Sequence, residues 1–274
     1  MDASIREFIK NMVKNIVQES VQKQHIRTKY VIANWKMNKT LAEAGELFQR
    51  IQGNRELSVV VCPPATLLYP VHFMIKEKNK LIDLGAQNVH WDENGAYTGE
   101  ISSTMLKDAN CKYVLIGHSE RRHFAFENDE LINRKVRKVL ETGLIPILCI
   151  GETFEQKASD QTMKVLKSQL LSALKDVESN NLIIAYEPVW AIGSGHSATS
   201  EQVQEIHEFI RSVLRDVMGQ TAAGISILYG GSVNKNNTKE FAKMQDVDGV
   251  LVGGASLVAQ SFQEIIDVFA KGDR

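Results

Sequence analysis

Cysteine is scarce: Cys62, Cys111 and Cys149 are the only three, and none forms a Cys-x-x-Cys pair or stands at zinc-ligand spacing. A disulfide framework and a thiolate metal site are therefore not expected, and scattered free thiols fit a reducing, cytoplasmic setting. Proline numbers five in 274 residues and no Gly/Ser/Pro-rich stretch interrupts the chain, so no linker divides residues 30 to 274. An excess of one charge is also missing, with 32 Lys and Arg against 33 Asp and Glu and no basic block. Without a long-range field, nucleic acid is not an expected partner, and any anionic ligand must be held by a local site. No apolar run approaches the roughly 20 residues needed to cross a bilayer, and the amino terminus lacks the uninterrupted apolar segment of a secretory signal. No membrane partner is expected.

What the chain does have is a repeat of short β-branched apolar runs. They start at Tyr30, Ser58, Leu81, Lys112, Leu144, Leu182, Ile225 and Asp248. Each is nearly continuous in apolar character, as a parallel strand covered on both faces requires, and this argues against a half-exposed antiparallel sheet. Between them lie stretches of helical period, such as Val203, Ile206, Phe209, Ile210, Val213 and Leu214. Strand and helix thus alternate eight times, which leaves an open doubly wound sheet or a closed barrel, and eight repeats favour the α/β barrel, (β/α)8. Residues 1 to 29 differ. Ile5, Phe8, Ile9, Met12, Val13, Ile16, Val17 and Val21 form an apolar stripe at helical spacing, which predicts an N-terminal amphipathic helical extension ahead of a barrel domain over 30 to 274. Packing against the barrel or a neighbour is favoured over targeting, because Asp2, Glu7 and Glu19 weaken a basic presequence.

In a parallel barrel the chemistry sits where strands end. The first run closes on Asn34-Trp35-Lys36, the fourth on His118-Ser119-Glu120 and the sixth on Glu187-Pro188, while the seventh and eighth close on Gly230-Gly231-Ser232 and Gly253-Gly254. Singly, each has an ordinary structural reading as a surface charge, a hydrogen-bonded histidine or a tight turn. Together at one mouth they suit enolisation of a phosphorylated carbonyl compound. Glu187 is the candidate base, and Lys36, His118 and Asn34 are candidate donors to the oxygen where charge develops. A neutral imidazole is better matched than a cation to shuttling protons between oxygens. The glycine pairs let backbone N–H groups approach a phosphate, and a helix expected to begin near Ser256 would add its positive end. Pro188, Val189, Trp190, Ala191, Ile192, Gly193, Ser194 and Gly195 join an apolar centre to small residues and read as a water-excluding lid.

Eight segments, NWKMN (34–38), AQNV (86–89), GAYTGEIS (95–102), IGHSERR (116–122), CIGE (149–152), AYEPVWAIGSG (185–195), YGGSV (229–233) and LVGGASL (251–257), closely resemble the triosephosphate isomerase family, in order along the whole barrel. The resemblance implies a TIM barrel that interconverts dihydroxyacetone phosphate and D-glyceraldehyde 3-phosphate in glycolysis and gluconeogenesis, with no metal and no other cofactor. It implies Glu187 as base, His118 as neutral electrophile, and Lys36 with Asn34 as the enediolate-stabilising pair. It further implies phosphate contacts from Lys36 and from backbone N–H groups of Gly193, Ser232, Gly253 and Gly254, with Glu120 as a supporting or catalytic carboxylate. A homodimer is implied as well, with Thr98 near the tip of a loop that enters the neighbouring subunit. Where the family most often has Ile-Gly-Thr-Gly in its lid, this chain has Ile192-Gly193-Ser194-Gly195, losing a methyl and keeping the hydroxyl. A sugar-phosphate epimerase, an aldolase or an inactive scaffold on the same fold are the competing readings. No later strand ends in a convincing Schiff-base lysine and no metal-ligand cluster is evident, while Lys36, His118 and Glu187 are all present.

Overall fold

Eight parallel strands, β1 (Tyr30–Asn34), β2 (Ser58–Cys62), β3 (Asp83–Ala86), β4 (Tyr113–Ile116), β5 (Ile145–Ile150), β6 (Ile183–Tyr186), β7 (Ser226–Tyr229) and β8 (Gly249–Val252), pair in chain order, and β8 returns to β1. The sheet is therefore a closed (β/α)8 barrel. This is a computed structural model, and it describes residues 27–191 and 198–272; the amphipathic stripe read in residues 1 to 26 lies outside that range. The near-continuous apolar runs are explained by burial on both sides. Ile32, Val60, Leu115, Ile147, Leu228 and Leu251 fill the barrel interior, whereas their neighbours Val31, Val59, Val61, Val114, Leu148 and Val250 pack outward beneath the helices.

The connecting helices include α1 (Leu41–Arg50), α2 (Leu68–Glu77), α3 (Ser103–Asp108), α4 (Ser119–Phe124), α5 (Asp129–Glu141), α6 (Phe154–Ala158), α7 (Thr162–Ala173), α8 (Ser200–Met218), α9 (Thr238–Lys243) and α10 (Ala259–Lys271). Their starts are written locally. Thr40 and Thr199 cap α1 and α8 through reciprocal bonds with Glu43 and Gln202, and Asn128 caps α5 by accepting from the Leu131 amide. The longest, α8, buries Val203, Ile210, Val213 and Leu214 against the sheet. Among the described residues no helix is long and apolar enough to cross a membrane.

The barrel floor, at the strand amino ends, is held by ions. Arg211 on α8 donates to Asp246 Oδ1 at 2.6 Å and to Asp248 Oδ2 at 2.9 Å, and Arg27 donates to Asp248 Oδ1 at 2.7 Å. Asp248 Oδ2 also accepts from the Ile227 amide, so one carboxylate ties β7, β8 and α8 together with the chain leading into β1. Removing one partner from so buried a set leaves an uncompensated charge, worth about 3–5 kcal/mol. Thr28 shares this anchorage, its carbonyl accepting from Ser226 Oγ.

His207 lies beside this network, fully buried, with Nδ1 3.0 Å from the Asp246 carbonyl and no hydrogen-bond partner for Nε2. Burial holds its pKa down at about 4, below the ordinary 6.5, with the Arg211 charge acting in the same sense. The unfolded chain takes up this proton before the folded one does. His207 therefore contributes stability that is complete above about pH 6.5 and is lost as pH falls towards 4, about 3 kcal/mol in all. Denaturant unfolding at pH 7 and pH 4.5 is expected to show a smaller pH-linked loss in His207→Gln than in the parent, and equal losses would contradict the assignment.

Candidate active site

At the opposite rim the strand ends converge. Asn34 closes β1, and its side-chain oxygen accepts from the Lys36 amide at 3.0 Å. Lys36 has a left-handed backbone, φ 53, which costs a non-glycine residue on the order of 1 kcal/mol or more. Gln87 Nε2 holds that conformation, donating to the Lys36 and Cys62 carbonyls, each at 2.9 Å. Lys36 Nζ stands 2.6 Å from Glu120 Oε1.

His118 follows β4 and caps α4: its Nδ1 accepts from the Glu120 amide at 3.2 Å. An accepting Nδ1 places the hydrogen of the neutral ring on Nε2. Nε2 lies 3.2 Å from Glu187 Oε1, and the other oxygen of Glu187 accepts from the Ser119 amide at 3.2 Å. Glu187 directly follows β6 and is only 2% exposed. Its backbone is seated by the Ile150 carbonyl, which accepts its amide at 2.7 Å.

Two glycines are required by this packing. A Cβ on Gly151 would fall 1.8 Å from the Glu187 carbonyl oxygen, and one on Gly230 would fall 2.8 Å from Glu187 Cγ. Gly230, read from sequence only as part of an anion-cradling pair, thus makes room for the carboxylate. A Cβ on Gly231 would meet the Tyr229 ring.

Asn34, Lys36, His118 and Glu187 line one cavity of about 440 Å³ together with Ser232, Gly253 and Gly254. Glu120 does not line it; with Lys36 and His118 it lines an adjoining cavity of about 410 Å³ whose apolar wall includes Met37, Leu68, Ile101 and Phe124. Thr98 lines neither and is exposed on the loop between β3 and α3. The helix expected near Ser256 begins later. Gly254–Leu257 is a short 3-10 turn, with Ser256 donating to the Gly253 carbonyl, and α10 starts at Ala259.

Of the lid segment, Pro188 to Ala191 are described, with Val189–Ala191 forming a 3-10 turn; Ile192, Gly193, Ser194 and Gly195 lie outside the described residues. Trp190 Nε1 donates to Glu152 Oε1 at 2.8 Å and Tyr186 Oη donates to the same oxygen at 3.2 Å. Ser232 Oγ donates to the Ala191 carbonyl at 2.6 Å. Gln87 and Glu152 were not singled out as site residues, although Gln87 directly follows β3 and Glu152 stands two residues past β5. The sign of their importance is a polar side chain next to an apolar strand end. Cys149, buried beneath this rim, has its thiol pushed well up by burial and by the neighbouring Glu187 carboxylate, so no thiolate nucleophile is offered. The arrangement provides one buried carboxylate, one ammonium and one ring N–H around a space sized for a small molecule.

A family model described as triosephosphate isomerase matches residues 29–269. The triosephosphate isomerase of Dictyoglomus thermophilum is 46% identical over 249 residues, covering 88% of this chain and 99% of that protein. Those of Dehalococcoides mccartyi strain BAV1 and Aquifex aeolicus are 47% and 44% identical, covering 86% and 87% of this chain and 94% and 98% of their own. With the barrel, the rim residues and these matches in agreement, the chain belongs to the triosephosphate isomerase family, a family of aldose–ketose isomerases.

Proposed function

We propose that this chain interconverts dihydroxyacetone phosphate and D-glyceraldehyde 3-phosphate, with Glu187 as the base and His118 as the proton-transferring acid. The observation that carries the reading is the 3.2 Å approach of His118 Nε2 to a buried Glu187 carboxylate, beside Lys36, in one small cavity. The Glu187 carboxylate takes a proton from the hydroxyl-bearing carbon next to the carbonyl. The C–H electron pair becomes the carbon–carbon double bond, and the carbonyl pair moves onto oxygen. Lys36 and Asn34 stabilise that oxygen, which gains negative charge only along the reaction path, so their effect falls on the transition state. His118 Nε2–H gives its proton to this oxygen and takes one from the adjacent hydroxyl. The Glu187 acid then returns its proton to the neighbouring carbon, so atoms and charge balance without a cofactor.

Backbone N–H groups of Gly193, Ser232, Gly253 and Gly254 hold the phosphate with Lys36. Glu120 holds the Lys36 ammonium in place, an assignment supported by their 2.6 Å contact. Residues 188 to 195 serve as the lid, closing over the enediolate to keep water out. The catalytic domain is residues 30 to 274, with residues 1 to 29 as an extension. The protein acts in the cytoplasm, in glycolysis and gluconeogenesis, as a homodimer whose Thr98 loop enters the partner beside Lys36 and Met37. Met37 is 95% exposed and Phe124 74% exposed next to the second cavity, apolar surface that a partner subunit would cover.

A coupled assay on the purified chain is expected to show cofactor-independent isomerisation of triose phosphates; no turnover would end this reading. Glu187→Asp draws the carboxylate back by one methylene and is expected to lower kcat at least a hundredfold with little change in substrate affinity. In Lys36→Met both KM and kcat should worsen, and activity restored by raising substrate would remove the catalytic half of that assignment. Sedimentation should give twice the 30.7 kDa chain mass, and a monomer at micromolar concentration would reject the dimer.

A further inference from the structure

Arg122, in α4, lines neither cavity, and it binds the framework under the reacting pair. Its Nε donates to the Gly117 carbonyl at 2.9 Å, its Nη2 donates to the Cys149 carbonyl at 3.3 Å, and its Nη1 pairs with Asp129 Oδ1 at 2.6 Å. Each contact falls at a point that matters. Gly117 is the residue before His118 and has a left-handed backbone, φ 70. Its free side is closed by Ile132 and by the guanidinium itself, since an added Cβ would stand 2.9 Å from Ile132 Cδ1 and 3.3 Å from Arg122 Nη2. Cys149 precedes Ile150, whose carbonyl accepts the Glu187 amide. Asp129, at the start of α5, neutralises the cation and fixes the plane of the fork.

We propose that Arg122 is a positioning residue for the isomerisation: its rigid fork sets the spacing between His118 past the β4 end and Glu187, which follows β6 and is bonded through its amide to the β5 end. This rests on the reading that those two side chains exchange protons with substrate. A planar guanidinium reaches two carbonyls on adjacent strands and a carboxylate on a third element at once, whereas an ammonium lacks that fixed geometry. Proton transfer depends steeply on separation, so releasing the Gly117–His118 peptide costs rate more than substrate binding. None of the groups assigned above to the phosphate is bonded by Arg122, so those contacts are left in place.

The test compares the parent with Arg122→Met, Arg122→Lys and Asn133→Ala. Asn133 bonds the Ala173 and Lys175 carbonyls, lines neither cavity and serves as the control for lost stability alone. Arg122→Met is expected to lower kcat at least tenfold with KM within twofold, and to shift the His118 imidazole nitrogen resonances. Arg122→Lys should recover part of the rate. A kcat within twofold of the parent, or a loss no greater than in Asn133→Ala, overturns the proposal. If Arg122→Met does not fold, the Arg122→Lys split between kcat and KM decides by the same criterion. Should the parent itself lack isomerase activity, the function proposed above fails separately, and the His118 resonances still report on the clamp: unmoved signals in the Arg122 variants reject it.

Discussion

Pairing of Tyr30–Ala33 with Gly249–Val252 closes the sheet, and every spatial relation at the site follows from that closure. Asn34 and Lys36 lie over 80 residues from His118 and about 150 from Glu187 in sequence, yet all follow carboxyl ends of strands that run the same way round one ring. An open sheet would put β1 and β8 on distant edges and separate Lys36 from Gly253 and Gly254. The interior side chains make the closure rigid, because a ring filled by Ile32, Val60, Leu115, Ile147, Leu228 and Leu251 cannot flatten without leaving voids.

The two ends of the barrel treat charge differently. At the floor, Arg27, Arg211, Asp246 and Asp248 are paired with one another, and the stabilisation is structural. At the rim, Glu187 is buried without an Arg or Lys partner: an imidazole nitrogen and a backbone amide face its two oxygens. A carboxylate so held is suited to taking a proton from substrate, which is the role proposed for it. Lys36 is held on the other side by Glu120 and by the Gln87 brace on its left-handed backbone. Strain and pairing there fix where the ammonium points.

Much of this was legible in the chain. The run at Leu144, LIPILCIG, reads as a doubly buried strand and becomes β5, because side chains on both its faces meet apolar layers. Thr40 and Thr199 announce helix starts through bonds that need no tertiary partner. The rim residues could be named because they close such runs. The partners of Gln87, Glu152 and Arg122 were not legible there: each acts by meeting a carbonyl or a ring on another element, and nothing beside them in sequence records it. Gly151 and Gly230 are similar, since their lack of a side chain is explained only by how close Glu187 passes. The helix expected near Ser256 starts later because Ser256 bonds back to the Gly253 carbonyl and tightens that turn.

Periodicity, caps and the residue types ending each run are properties of neighbours within a few positions, so the sequence by itself determined the strand–helix alternation and the candidate rim residues. Distances between segments over 30 residues apart are set by how layers pack. Only the tertiary structure decided that His118 Nε2 meets Glu187 at 3.2 Å, that Glu120 sits behind Lys36 outside the main cavity, and that His207 is sealed without a partner for Nε2. The physical reason is that burial and approach depend on what the fold brings from elsewhere, which no local pattern contains.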